Sequence, residues 1–383
     1  MKSYHFLIFF GIVLLIYSSI NLYIYSRTLQ AIPAGSGFRS WFSWGFWILA
    51  SAYIAGRVLE RVWLSAFSDI LTWVGAFWLA IMLYGFLLVL TIDIVRLVNH
   101  FSGFLPQSLF TPSGKLVVLY AGMALVAGIV LAGYINAISP RVRTLTLEVD
   151  KGANGMKKLN IAMASDIHMG TLIGPRRTAK LVNTVNSLNP DIILFAGDVV
   201  DEDLEPVIRQ NLGEALTRLK APLGVYGITG NHEYIGGADK AVKYLEEHGI
   251  TILRDSVALV GGSFYLAGRE DRAKNSYKRS PRKTLHELLS GIDRSLPVIL
   301  LDHQPFGLGE SAEAGIDLQL SGHTHHGQLW PLNYITKAVY EISAGYKKKG
   351  NSHFYVSPGF GGWGPPVRTG NRPEVVNLQL RFK

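Results

Sequence analysis

Apolar residues run on with few breaks through the first third of the chain, then fall into short clusters separated by polar stretches. A helix needs roughly 20 apolar residues to cross a hydrocarbon core about 30 Å thick. Four runs meet or approach this: Phe6 to Tyr25, Trp41 to Gly56, Ile70 to Leu90 (closed by Asp93 and Arg96) and Leu116 to Ile138. They predict an all-α transmembrane module of about four helices over residues 1–140. The first run also fits a secretory signal. Only Lys2 precedes it, however, no small-residue cleavage site follows promptly and three more runs come after, so a retained helix is expected. From Val142 onward the period changes. Strands are predicted at Leu159 to Ala164, Asp191 to Ala196, Val225 to Thr229, Val298 to Leu301 and Ile316 to Leu320, with helices at Arg177 to Leu188 and Asp239 to His248. Phe354 to Ser357 and Glu374 to Phe382 read as further strands with few helices between them. That favours two mixed sheets over one open parallel sheet, in an α/β domain spanning 141–383.

Composition sharpens the division. Of 383 residues, 49% are hydrophobic and only 17% charged. Residues 1–140 hold just ten Asp, Glu, Lys and Arg. The net charge of +9 comes without any run of five Lys or Arg, Lys347 to Lys349 being the longest cluster. Basic flanks of a membrane protein account for it, and no nucleic-acid partner is expected. Trp41, Trp44, Trp47, Trp63, Trp73 and Trp78 read as an interfacial belt and lipid-facing bulk. No charge lies in the centre of a run, which weighs against a transporter and favours an anchor that could also gather a lipid substrate. With four spans, Lys2, Arg57, Arg61, Arg141 and Arg143 would share the catalytic side, and Arg27, Arg39, Arg96 and Lys115 would lie opposite. This is a slight lean toward a cytoplasmic catalytic domain in a multi-pass cell-membrane protein. The chain has no cysteine, so any metal must be held by His, Asp, Glu or Asn.

The chemistry lies where the apolar runs end. Five consecutive runs finish in Ser165-Asp166-Ile167-His168, Gly197-Asp198-Val199-Val200-Asp201, Gly230-Asn231-His232-Glu233, Asp302-His303 and Gly322-His323-Thr324-His325. Each alone has a bland reading, as a turn, a helix cap or a surface histidine. Together, in this order, they put metal ligands at the carboxyl ends of strands, where layered α/β folds bind ligands. A carboxylate can bridge two cations while imidazoles complete each shell, and such a pair can clamp both oxygens of an in-line phosphoryl displacement. Glycines 197, 230 and 322 allow positive φ or close approach to the metals.

This five-part series, spread over roughly Lys158 to Arg381, resembles the calcineurin-like metallophosphoesterase superfamily. The resemblance implies a four-layer α/β/β/α sandwich and two divalent metal ions, with Mn, Fe and Zn all suited to the donor set. It implies that Asp166, His168 and His325 hold one metal, that Asn231, His303 and His323 hold the other, and that Asp198 bridges them. It has His232 face the scissile phosphate and either protonate the leaving oxygen or stabilise its charge, with Asp201 as the partner that would orient it. Gly322-His323-Thr324-His325-His326-Gly327-Gln328, Val356-Ser357-Pro358-Gly359-Phe360-Gly361, Arg368 and Asn371-Arg372-Pro373-Glu374 are similar to a bacterial branch of membrane-associated phosphodiesterases that includes enzymes acting on UDP-diacylglucosamine. The expected partners are a phosphoester substrate, lipid-linked or membrane-proximal, and membrane lipids. Arg368, Arg372 and His326 are candidate substrate contacts. Phe360, Trp363, Pro365 and Pro366 form an apolar, Gly-rich loop. A general phosphomonoesterase and a non-catalytic membrane scaffold or receptor are the rival readings; the complete ligand set speaks against the scaffold.

Overall fold

The computed structural model describes residues 3–383, so Lys2 of the charge count lies outside the described residues. The chain divides into two compact units, Met1–Ile135 with Gly364–Val367, and Asn136–Trp363 with Arg368–Lys383.

The first unit is built from α1 (Ser3–Ala31), α2 (Phe38–Val62), α3 (Ala66–Ser102) and α4 (Pro112–Ala137). All four are long and apolar enough to cross a membrane. Each starts or ends beyond its apolar run. The 37 residues of α3 span about 55 Å at 1.5 Å per residue and continue through Asp93 and Arg96. Those charges do not stop the helix because they are met locally: Asp93 accepts from Tyr23 Oη at 2.6 Å and pairs with Arg27 Nε at 2.8 Å. Local chemistry sets the true ends of α3, with a Ser65–Ser68 capping box at its start and Gly103 in the left-handed region at its finish. α2 and α3 meet backbone to backbone. A Cβ at Gly75 would lie 2.1 Å from Tyr53 N, the close approach that small residues permit between apolar helices. Phe46 stacks edge-on to Trp78 beside this contact, ring centroids 4.9 Å apart.

The second unit contains two six-stranded sheets. One runs β1 (Arg141–Val149), β12 (Glu374–Phe382), β2 (Lys158–Ala164), β3 (Ile192–Phe195), β4 (Val225–Gly227) and β5 (Thr251–Ile252). The other runs β10 (Gly345–Lys349), β11 (Ser352–Val356), β9 (Leu318–Ser321), β8 (Val298–Leu301), β7 (Phe264–Gly268) and β6 (Ser256–Val260). Alternation along each strand sorts side chains to two faces. Ile161, Met163 and Leu194 turn inward and pack with Leu266, Leu301 and Leu320 of the other sheet. Ala162, Ile193 and Phe195 turn outward onto Leu181 and Val185 of α5 (Pro175–Ser187) and Leu245 of the helix Ala238–Glu247. Behind the second sheet, Val298 and Leu300 meet Leu285 and Leu288 of a short helix. The order is helix, sheet, sheet, helix, the four-layer sandwich expected. β2 to β5 are mutually parallel, as are β7, β8 and β9.

Candidate metal centre

Loops leaving β2, β3, β4, β8 and β9 carry the five polar motifs, and backbone bonds fasten them to one another. Ile167 N and His168 N both donate to Asp198 O, at 2.8 and 3.0 Å, and Gly322 N donates to His303 O at 2.9 Å. The turns are tight. Asp166, His168, Asp198, His323, His325 and His326 all have positive φ, between 44° and 71°. Left-handed backbone costs an L-residue about 1–2 kcal/mol, so this strain is concentrated where candidate ligands must face inward. Gly197 adopts φ +88°, and a Cβ there would meet His303 Nδ1 at 2.6 Å; a Cβ at Gly322 would lie 2.2 Å from Asp166 Oδ2.

The candidate ligand atoms converge. Asp166, His168 and His325 present atoms within 4.8 Å of one another, as do Asp198, His303 and His323. Asp198 Oδ2 lies 3.0 Å from His303 Nε2 and 3.9 Å from His168 Nε2, so it stands between the two groups. Asn231 Oδ1 is 2.8 Å from His323 Nδ1, which joins Asn231 to the second group. His168 and His325 aim their Nε2 atoms at each other across 3.1 Å. Asp166 Oδ2 is buried without a hydrogen-bond partner. Buried orphan lone pairs are costly unless something positive meets them. A set of O and N donors without sulfur suits divalent cations of borderline hardness. The residues therefore fit a pair of such metals.

The surroundings prepare these side chains. His303 Nδ1 donates to Ala196 O at 2.7 Å, which turns Nε2 toward Asp198 Oδ2. Burial works against the ring's charge, yet Asp198, Asp166 and Asp271 outweigh that and hold His303 well above the usual imidazole range, so a cation bound there would take the place of the Nε2 proton. Burial, with the neighbouring His303 charge, pushes His323 down to about 3. Burial, His168 and Arg368 hold His325 well below the usual imidazole range. Both shifts favour the neutral imidazole, the form that ligates. Burial raises the Asp166 carboxyl. Burial also opposes ionisation of Asp198, but the histidines around it win and hold it well below the usual carboxylate range. His232 donates through Nδ1 to Asp201 Oδ1 at 3.1 Å. Burial works against its charge, yet Asp198, Asp201 and Glu202 outweigh that and lift it to about 9. Burial likewise works against the Asp201 charge, and its bonds to His168 and His232 hold that carboxyl below its usual range. Trp363 lies edge-on to His232, ring centroids 6.0 Å apart.

The three candidate substrate contacts sit differently. Arg368 is fully buried, with Nε and Nη2 donating to Gly361 O at 3.1 and 2.7 Å, Nη1 bonded to Asn371, and Nη2 3.4 Å from His325 Nδ1. Its donors are spent on holding the loop behind His325. Arg372 is exposed and donates to Ser139 O at 2.9 Å. His326 is half-buried beside the centre, with Nδ1 2.9 Å from Ser343 Oγ. One organising residue had no role assigned from sequence. Glu233 is buried and accepts from the backbone N–H groups of Asp198, Val199, Val200 and Gly230, at 2.7–3.1 Å. Burial and the Asp198 charge raise it to about 7. Its signal was the final letter of the Gly230–Glu233 motif.

The pattern of the calcineurin-like phosphoesterases matches residues 159–327. A Campylobacter jejuni subsp. jejuni protein described as an uncharacterized metallophosphoesterase is 30% identical over 385 residues, covering 99% of this chain and 99% of that one. The chain belongs to the calcineurin-like metallophosphoesterase family. A Danio rerio relative, described as a transmembrane protein with metallophosphoesterase domain, is 32% identical over 273 residues, covering 68% of this chain and 62% of that protein. A Helicobacter pylori metallophosphoesterase is 32% identical over 256 residues, covering 64% of this chain and 65% of that protein. The metallophosphoesterase thus spans under two thirds of the length of these last two relatives. Its likeness to the Campylobacter protein runs through the N-terminal helices as well as the strands.

Proposed function

We propose that this chain is a membrane-held, metal-dependent phosphoesterase acting on a phosphodiester or pyrophosphate that is lipid-linked or lies close to the bilayer. The observation that carries the reading is Asp198, which is grouped with His303 and His323 on one side and with His168 and His232 on the other, His168 being grouped in turn with Asp166 and His325. Asp166, His168 and His325 would hold one divalent cation, Asn231, His303 and His323 the other, with Asp198 shared. Bound there, such cations supply Lewis acidity toward a phosphoryl oxygen and acidify a water. His232 holds a proton for the leaving oxygen. Its Nδ1 is turned to Asp201, which leaves Nε2 as the donor, and the carboxylates around it favour the charged form. Glu233 keeps the Asp198 loop in place, and Arg368 keeps the His325 loop in place. The helical unit motivates the substrate class, since it holds the chain at a bilayer. Basic flanks, five to four, favour a cytoplasmic catalytic domain.

The test uses the full chain in detergent. With added Mn²⁺ it should hydrolyse bis(p-nitrophenyl) phosphate and lose that activity on chelation. Lipid extracts should be turned over in preference to nucleotides or DNA. Bound metal with no hydrolysis of any phosphoester would sink the enzymatic reading. Equal rates on lipid and nucleotide substrates would sink the lipid-linked one.

A further inference from the structure

A cavity of about 300 Å³ lies between α1, α3 and α4, at the end of the helical unit where α1 and α3 finish and α4 begins. That volume is at the lower end of clefts that hold small ligands, roughly 300–1,000 Å³. Its lining runs from Lys115 to Ala127 along α4, roughly 18 Å at 1.5 Å per residue, so it follows the helix axis as a slot. Ile81, Leu88, Leu119 and Val126 make its walls apolar. Gly85 and Gly122 widen it. A Cβ at Gly122 would meet Leu88 Cδ2 at 2.8 Å, so any side chain there would intrude on the slot.

The charges gather at one end. Arg27, Arg96 and Lys115 line the cavity together with a single carboxylate, Asp93. Asp93 is committed to Arg27 Nε at 2.8 Å and to the Tyr23 hydroxyl at 2.6 Å. Arg96 reaches it only at 3.9 Å, and Lys115 has no ion-pair partner among the described residues. The rim therefore carries two cations in excess, both partly exposed. Cations at the end of a membrane-crossing helix are costly unless they face water or an anion. An apolar slot that opens onto a cationic rim matches an amphiphile with an anionic head.

We infer that this cavity binds an anionic phospholipid, one acyl chain in the slot and its phosphate against Arg96 and Lys115. The guanidinium fork of Arg96 suits phosphate oxygens, and a Lys or Arg beside an anionic headgroup contributes about 1 kcal/mol. The apolar walls argue for a lipid rather than a free phosphate, which would leave them uncovered. The cavity shares no residue with the metal centre, so the inference stands whether or not the chain is a hydrolase.

Native mass spectrometry of the full chain tests this, with detergent-solubilised protein titrated with dioleoyl phosphatidylglycerol or dioleoyl phosphatidylcholine. The expected result is phosphatidylglycerol bound roughly thirtyfold more tightly, as two extra cations would give. Arg96→Gln with Lys115→Gln should erase the preference, and Gly122→Leu should weaken both lipids by obstructing the slot. Glycerol 3-phosphate in excess should not displace the lipid. Equal affinity of the wild-type chain for the two lipids overturns the inference whatever the variants do. So does a preference untouched by the charge changes, or full displacement by glycerol 3-phosphate, which would mark a phosphate site instead. Lys115→Gln alone, the mildest change, keeps the test usable if the double variant elutes aggregated.

Discussion

The two units use the same apolar side chains in opposite ways. In the sandwich, Ile161, Leu194 and Leu301 are completely buried and the candidate ligands collect at the strand ends. In the helical unit, Leu15, Trp41 and Phe101 are 67%, 78% and 81% exposed. Water would penalise such a surface, whereas lipid accepts it. Two of its ion pairs, Arg27 with Asp93 and Arg57 with Glu60, lie toward the ends of helices. The contrast teaches where each region keeps its strain. The sandwich can hold six site residues at positive φ because two sheets and their helices fix the strand ends. The helical unit carries no such load among its described non-glycine residues, none of which has positive φ.

The largest effect should follow from breaking the site rather than the frame. Asp198→Asn should lower phosphoester hydrolysis by about a thousandfold or more, some 4 kcal/mol of transition-state stabilisation, measured as kcat/KM. His232→Ala should cost about 10²–10³-fold in kcat while bound metal is unchanged, which separates a proton donor from a ligand. Bound metal falling in step with activity would make His232 a ligand. The frame comes next. Leu194→Ala, in the inter-sheet core, should destabilise the chain by about 3 kcal/mol in chemical denaturation. The matching change on α1, Leu15→Ala, should move stability by under about 0.5 kcal/mol, because that side chain faces out. Comparable losses for the two leucines would erase the contrast between the units.

Much of the site was legible because two signals coincide in it. A run of buried strand residues ends abruptly, and the next residues are candidate ligands. Val298–Leu301 and Glu374–Phe382 match their predicted bounds for the same reason, an apolar pattern with clear stops. β6 and β10 escaped because Ser256–Val260 and Gly345–Lys349 are largely half-exposed edge strands whose sequence lacks a clean alternation. The length of α3 was missed because hydropathy marks what lipid accepts, whereas the helix ends at its caps, Ser65 and Gly103. Arg368 was read as a phosphate contact on its chemistry alone. Its position depends on Gly361, Asn371 and His325 folding around it, which no local pattern encodes. Glu233 was passed over likewise, since its four backbone partners come from two separate loops.

Metal content is the most direct measure of the account. After loading with Mn²⁺ and removal of excess, elemental analysis of the folded full chain should find two ions per chain, falling to one or fewer in the Asp198→Asn protein. A folded wild-type chain that retains no ion, or an Asp198→Asn chain that retains both, would contradict the shared carboxylate on which the proposed chemistry rests.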